Sequence, residues 1–100
     1  MPGMMDQAKM LMRARKVQGE LKKTEIEAVG ADGKLTVVFN GELKLRRLTI
    51  DESLLSPDRK AFLEKALHDT ITQAMSKAQA VAAEKTRGVM KDLGVNLPGI

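Results

Sequence analysis

The side chains here that are equipped for chemistry are few, and their spacing gives them no partners. His68 is the only histidine and there is no cysteine, so disulfides and thiolate metal sites are excluded, in keeping with a reducing cytosol. Ser53, Ser56 and Ser76 carry hydroxyls, but no base-and-orienter arrangement accompanies them. Glu25 and Glu27 alternate along a strand-like stretch. Two carboxylates there make an acid/base couple only beside a group to protonate, whereas on an exposed strand they guard against edge pairing. Asp51, Glu52 and Asp58 lack the spacing and glycine of a calcium loop, and GADGK (30–34) lacks the length of a phosphate-binding loop. The expectation is a protein without enzymatic activity, cofactor or metal, with His68 partly solvated on a helix flank.

Charge is more informative. Residues 1–23 hold six basic and two acidic side chains, a net of +4, while residues 24–100 hold eleven of each. The whole formal excess of +4 therefore lies in the first quarter of the chain. Such asymmetry points to a polyanionic partner, either nucleic acid or a membrane surface. Lys9, Arg13, Arg15, Lys16, Lys22 and Lys23 are the first candidates for phosphate contact. Lys77, Lys85, Arg87 and Lys91 form a second, sparser basic set. Phe39 and Phe62 are the only aromatic residues, and both are core candidates. No stacking platform for single strands is then left over, which favours a duplex gripped by its backbone. Membrane attachment is disfavoured because the first helix has no Trp or Phe anchor, and no apolar run approaches the ~18 residues of a membrane span.

Two long helices and a small sheet must position these residues. Met4, Ala8, Leu11, Ala14, Val17 and Leu21 recur at helical spacing, so 4–22 reads as an amphipathic helix whose stripe is core or dimer seam. Lys9, Arg13 and Lys16 step by four and three down another side. Ile26 and Ala28 alternate with Glu25 and Glu27 in a half-buried strand over 24–29, and 30–33 is a turn. Ser56, Pro57 and Asp58 mark the start of a second helix, with Ser56 as its cap. Leu63, Leu67, Ile71, Met75, Ala78 and Val81 carry its apolar stripe to about residue 92. Such a helix, ~50 Å long, outreaches a domain of this size and must project or pair with another chain.

Between them lies KLTVVFNGELKLRRLTI (34–50), two apolar runs around Asn40-Gly41. Asn-Gly suits a two-residue turn because both residues tolerate positive φ. That turn sets Phe39 opposite Glu42 and Val38 opposite Leu43. Leu35, Val37 and Phe39 then share a face with Leu48 and Ile50, while Val38, Leu43 and Leu45 crowd the other. Both faces of the sheet would need cover, and a second subunit is the obvious cover for one. The alternative is a one-residue slip, or a bulge at Arg46-Arg47, which gathers most apolar residues on one face.

The opening MMDQAKMLMRARKVQGEL, the strand TEIEAVG, the hairpin LTVVFNGELKLRRLTIDESLL, the SPDRK helix start and the Leu97-Pro98-Gly99 tail together resemble the YbaB/EbfC family of bacterial nucleoid-associated proteins. The resemblance spans essentially the whole chain. It implies an α+β homodimer whose projecting helices grip duplex DNA in the cytoplasmic nucleoid. Two features depart from the pattern: the first helix is more basic than is usual there, which favours DNA affinity, and the tail is shorter.

The sequence thus predicts an α+β fold with an N-terminal helix, a three-stranded antiparallel sheet and a long C-terminal helix. Residues 1–100 form one domain, with 94–100 a flexible tail. Its expected function is to bind double-stranded DNA as a homodimer with weak sequence preference, affecting nucleoid organisation and gene expression. The rival reading is a helical adaptor for a recombination or replication partner.

Overall fold

A computed structural model describes residues 4–92; the expected tail at 94–100 lies outside them. Helix α1 (Met4–Lys23) leads into strands β1 (Glu25–Gly30), β2 (Leu35–Asn40) and β3 (Leu45–Ile50), and helix α2 (Lys60–Asp92) follows. The strands form an antiparallel meander in the order β1-β2-β3. Fold class and element order are those expected from the sequence.

Small residues let α2 lie close against the sheet. Ala74 and Ala78 are fully buried against Ile26, Ala28, Val37 and Phe39. Further along, a Cβ on Gly30 would come within 2.2 Å of the Thr70 hydroxyl, so only glycine admits the helix there. This packing covers β1 and β2 but not β3. Leu45 and Leu48 share the helix-facing side with their partners Phe39 and Val37, yet remain 51% and 44% exposed.

The hairpin register differs from the favoured expectation. Phe39 pairs with Leu45, not Glu42, and Val38 pairs with Arg47, not Leu43. The loop is built on a turn in which the Leu43 amide donates to the Asn40 carbonyl at 3.1 Å, followed by Asn40 N–H to the Lys44 carbonyl at 2.9 Å. The left-handed residue is Leu43 (φ 65), rather than Asn40 or Gly41. Between Val38 and Phe39 the register shifts, so Arg46 is an extra, unpaired residue in β3. This bulge places Leu45 and Leu48, three apart, on one face, which a regular strand cannot do.

The sheet is consequently more apolar on the α2 side, with Val29 and buried Val38 left on the other face. On the face away from α2 the Arg47 guanidinium donates to Glu25 at 3.0 Å, reaching from one edge strand to the other across β2. The two-faced apolar sheet expected from a two-residue turn is not formed.

Tertiary demand explains what Asn40-Gly41 does instead. The last carbonyls of α1 lack partners within the helix. The Gly41 amide donates to the Leu21 carbonyl at 2.7 Å, and the Asn40 side-chain amide donates to the Lys22 carbonyl at 3.2 Å. Thr24 satisfies Glu20 through its amide (2.9 Å) and its hydroxyl (2.6 Å). Meanwhile Asn40 Oδ1 accepts from the amides of Glu42 and Lys44, at 2.9 and 3.0 Å. A Cβ at Gly41 would sit 2.7–2.9 Å from Leu21, including its backbone. The dipeptide is a joint that fastens α1 to the sheet.

Two smaller expectations are also corrected. Phe62 is 52% exposed instead of buried, because the start of α2 overhangs the sheet. Ser56 holds the cap position with extended backbone, but its hydroxyl caps no amide. The Ser56 side chain and the Asp58 backbone N–H instead hold the Asp58 carboxyl below the usual carboxylate pKa.

Candidate nucleic-acid interface

Both helices leave the sheet at the end where the hairpin loop lies. Among the described side chains of the α1 stripe Val17 and Leu21 are drawn inward; Leu11 and Met12 are 55% and 69% exposed, and residues 7–16 are all exposed. The second half of α2 runs antiparallel beside α1. Its Lys85 approaches Glu20 (3.8 Å) and the Thr24 hydroxyl (3.5 Å), and Val89 meets Val17 along a cleft. The result is a two-helix arm extending a molecule 65 × 26 × 15 Å.

The arm gathers the basic residues singled out by charge. Lys9, Arg13, Arg15, Lys16, Lys22 and Lys23 are all exposed on α1. At 100° per residue Lys9, Arg13, Lys16 and Lys23 fall within about 80° of one another, and so form one ridge. Arg15 and Lys22 lie on another side of the helix. Arg13 and Lys16 line the cleft with Val17, Glu20 and Val89, about 520 Å³ in volume. Glu20 interrupts this ridge, and Lys85 across the cleft counters its charge. Arg87 and Lys91 are exposed on the outer part of α2.

Two members of the set have internal commitments. Lys77 donates to the Glu27 carbonyl at 3.4 Å, and Lys85 is held by Glu20 and Thr24. These lysines tie α2 to β1 and α1, and their ammonium groups are less available to a ligand than those of the α1 ridge.

A further basic group lies where net charge along the chain does not point. Lys22, Lys23 and Arg46 line a concavity of about 380 Å³ with Glu25, at the base of the arm. The signal for Arg46 is the pattern Leu45-Arg46-Arg47-Leu48: apolar residues three apart in a strand share a face only across a bulge, which turns both arginines to the opposite side.

The groups equipped for other chemistry are dispersed. His68 is exposed beside Asp69, at 3.3 Å. Glu25 is paired with Arg47, and Glu27 is exposed on an edge strand. The Ser53 side chain, and then its amide, which donates to Asp51 at 2.9 Å and closes a short turn, lower the Asp51 pKa. Among the described residues no group of three or more His, Cys, Asp or Glu side chains is placed to hold a metal ion. No helix among them is long and apolar enough to cross a membrane.

Comparison with known proteins agrees with this geometry. Residues 1–93 match the YbaB/EbfC DNA-binding family. A nucleoid-associated protein of Rhodopseudomonas palustris is 35% identical over 99 residues, covering 96% of this chain and 90% of the relative. Another from Agrobacterium fabrum is 38% identical over 97 residues, covering 96% and 87%. Among solved structures, an uncharacterized protein from Helicobacter pylori superposes with a TM-score of 0.66 at 23% identity, covering 82% of this chain and 93% of that one; this likeness concerns the fold alone. The chain belongs to the YbaB/EbfC DNA-binding family, whose members are architectural proteins rather than enzymes.

Proposed function

We propose that residues 1–100 act as one domain, paired as a homodimer, that binds double-stranded DNA chiefly through backbone phosphates. Sequence preference is weak, because contacts to backbone phosphates carry no sequence information. The setting is the bacterial nucleoid, as the names of the relatives suggest, with consequences for nucleoid organisation and gene expression. The observation that carries this reading is the arm: a ridge of Lys9, Arg13, Lys16 and Lys23 on a helix whose residues 7–16 are all exposed.

Pairing is supported by what one subunit leaves uncovered. Leu45 and Leu48 continue the apolar face that α2 covers over β1 and β2, and Met75 stands exposed on α2. The radius of gyration is 18.7 Å, against about 13 Å for a compact chain of this length. A second copy laid against β3 and α2 would cover this surface. Light scattering at micromolar concentration should then report twice the 11.0 kDa subunit mass, and a stable monomer would sink the pairing.

DNA titration at two salt concentrations tests the arm. Lys9→Glu, Arg13→Glu and Lys16→Glu together should remove most affinity while the protein stays folded. Each lost phosphate contact lowers the log–log salt slope by ~0.9, and a symmetric dimer loses contacts in pairs. The control is Lys34→Glu with Lys60→Glu, at the opposite end of the sheet. Wild-type affinity and slope in the triple variant would overturn the arm as the phosphate-binding element. Binding indifferent to salt would point to a protein partner instead.

A further inference from the structure

The concavity at the base of the arm has the chemistry of an anion site. Three of its four charged walls are Lys22, Lys23 and Arg46. The fourth, Glu25, is neutralised from outside by Arg47 at 3.0 Å. Among the described residues Lys22, Lys23 and Arg46 form no ion pair. The partial negative charge at a helix C-terminus ordinarily repels anions. Here that effect is blunted, because the carbonyls of Glu20, Leu21 and Lys22 all accept hydrogen bonds from Thr24, Gly41 and Asn40.

The backbone geometry gives Arg46 its place. In a regular β3 it would stand opposite Phe39, on the apolar, helix-facing side of the sheet. The bulge gives that position to Leu45 and leaves Arg46 unpaired on the side of Glu25. The joint at Asn40-Gly41 holds the end of α1 against the same hairpin, so Lys22 and Lys23 reach the concavity from the other side. Neither the α2 core nor the arm ridge requires an arginine at this point.

We propose that Lys22, Lys23 and Arg46 form a phosphate site that takes one phosphodiester of the duplex gripped by the arm. The site lies where arm and sheet meet, so an occupied site sets how deeply the duplex seats between arm and sheet. It rests on the reading that the arm binds DNA, and adds to it a contact from the sheet.

Arg46→Gln tests the site, with Arg46→Lys as the charge-conserving partner. Thermal unfolding should be unchanged in both, since the side chain is exposed and unpaired. Arg46→Gln should weaken duplex binding about five- to tenfold at low salt and lower the salt slope by ~0.9 per subunit. Arg46→Lys should recover most of the affinity. The Lys22 and Lys23 amide resonances should shift on duplex titration in wild type and shift less in Arg46→Gln. A salt slope in Arg46→Gln equal to wild type, with the arm triple variant still defective, would overturn this site and leave the arm reading intact. No salt-sensitive binding by wild type would overturn both. A parallel titration with inorganic phosphate separates the two sources of the anion: saturation by phosphate at the concentration of phosphodiester that suffices for the duplex would show a free-anion site and overturn the duplex assignment.

Discussion

The two helices are held by different physics. α2 lies along the sheet, and its seat is made of buried Ala74 and Ala78, the close approach of Thr70 to Gly30, and the side chains of Ile26, Val37 and Phe39. α1 touches the sheet only through its last turn, where hydrogen bonds from Asn40, Gly41 and Thr24 close its open carbonyls. Apolar packing is non-directional and scales with area, whereas a hydrogen bond fixes direction. One helix therefore supplies stability, and the other is a pointer whose aim is set at a joint. The ridge expected to meet DNA is on the pointer.

The largest effect should come from the seat of α2. Phe39→Ala opens a cavity beneath Ala74 and Ala78 and should cost about 3–5 kcal/mol. Chemical denaturation reads this directly. DNA binding should fall only in proportion to the fraction unfolded, and retain its wild-type salt slope in conditions where the variant is folded. A changed slope in the folded variant would mean that α2 packing also sets the arm, and the contrast between the helices would fail.

Gly41→Ala addresses the joint and should have a smaller effect on stability. The new methyl group would press on Leu21 Cδ2, O and Cα at 2.7–2.9 Å, two of them backbone, so α1 must shift. A cost of about 1–3 kcal/mol is expected for such overpacking. Binding should suffer more than stability: at temperatures where the variant is fully folded, duplex affinity should still be reduced and amide shifts should extend along α1 but not α2. Unaltered affinity in a folded Gly41→Ala would mean that the joint does not aim the arm.

These two cases also show how much the sequence discloses. Element order, the sheet and the basic bias of α1 were legible, because periodicity and charge are properties of neighbouring residues. The hairpin was legible only as an alternative, the bulge at Arg46-Arg47, because Asn40-Gly41 answers to a helix about twenty residues away. Its local preference for a two-residue turn yields to capping α1, and Leu43 takes the left-handed conformation instead. Phe62 shows the same limit. A stripe on a helix records which face is apolar, but not how far the sheet beneath it extends. Arg46 is legible only once Leu45 and Leu48 are required to share a face, and Lys77 and Lys85 acquire their structural ties only from the crossing of α2 over β1 and α1.

The smallest expected effect concerns acid, and it should separate the two helices without any mutation. The approach to α2 carries two carboxylates: the Ser53 side chain and its amide (2.9 Å) lower the pKa of Asp51, and the Ser56 side chain and the Asp58 backbone N–H lower that of Asp58. Both have pKa values below the usual carboxylate range for that reason. A carboxyl group with a depressed pKa in the folded state contributes stability that is present above its unfolded pKa. That contribution is lost as pH falls through the folded pKa, which places the loss below about pH 4. The hydrogen bonds of the α1 joint come from Asn40, Gly41 and Thr24, none of which titrates in this range. Between pH 7 and 5 nothing should change. Below pH 4 the Ser53 amide should lose exchange protection while Gly41 keeps its own, until the molecule unfolds as a whole. Asp51→Ser retains an acceptor but no titratable group, and should flatten the loss at Ser53. If Gly41 lost protection first, the joint would be the weaker attachment in acid, and the entry to α2 would owe little to its two aspartates.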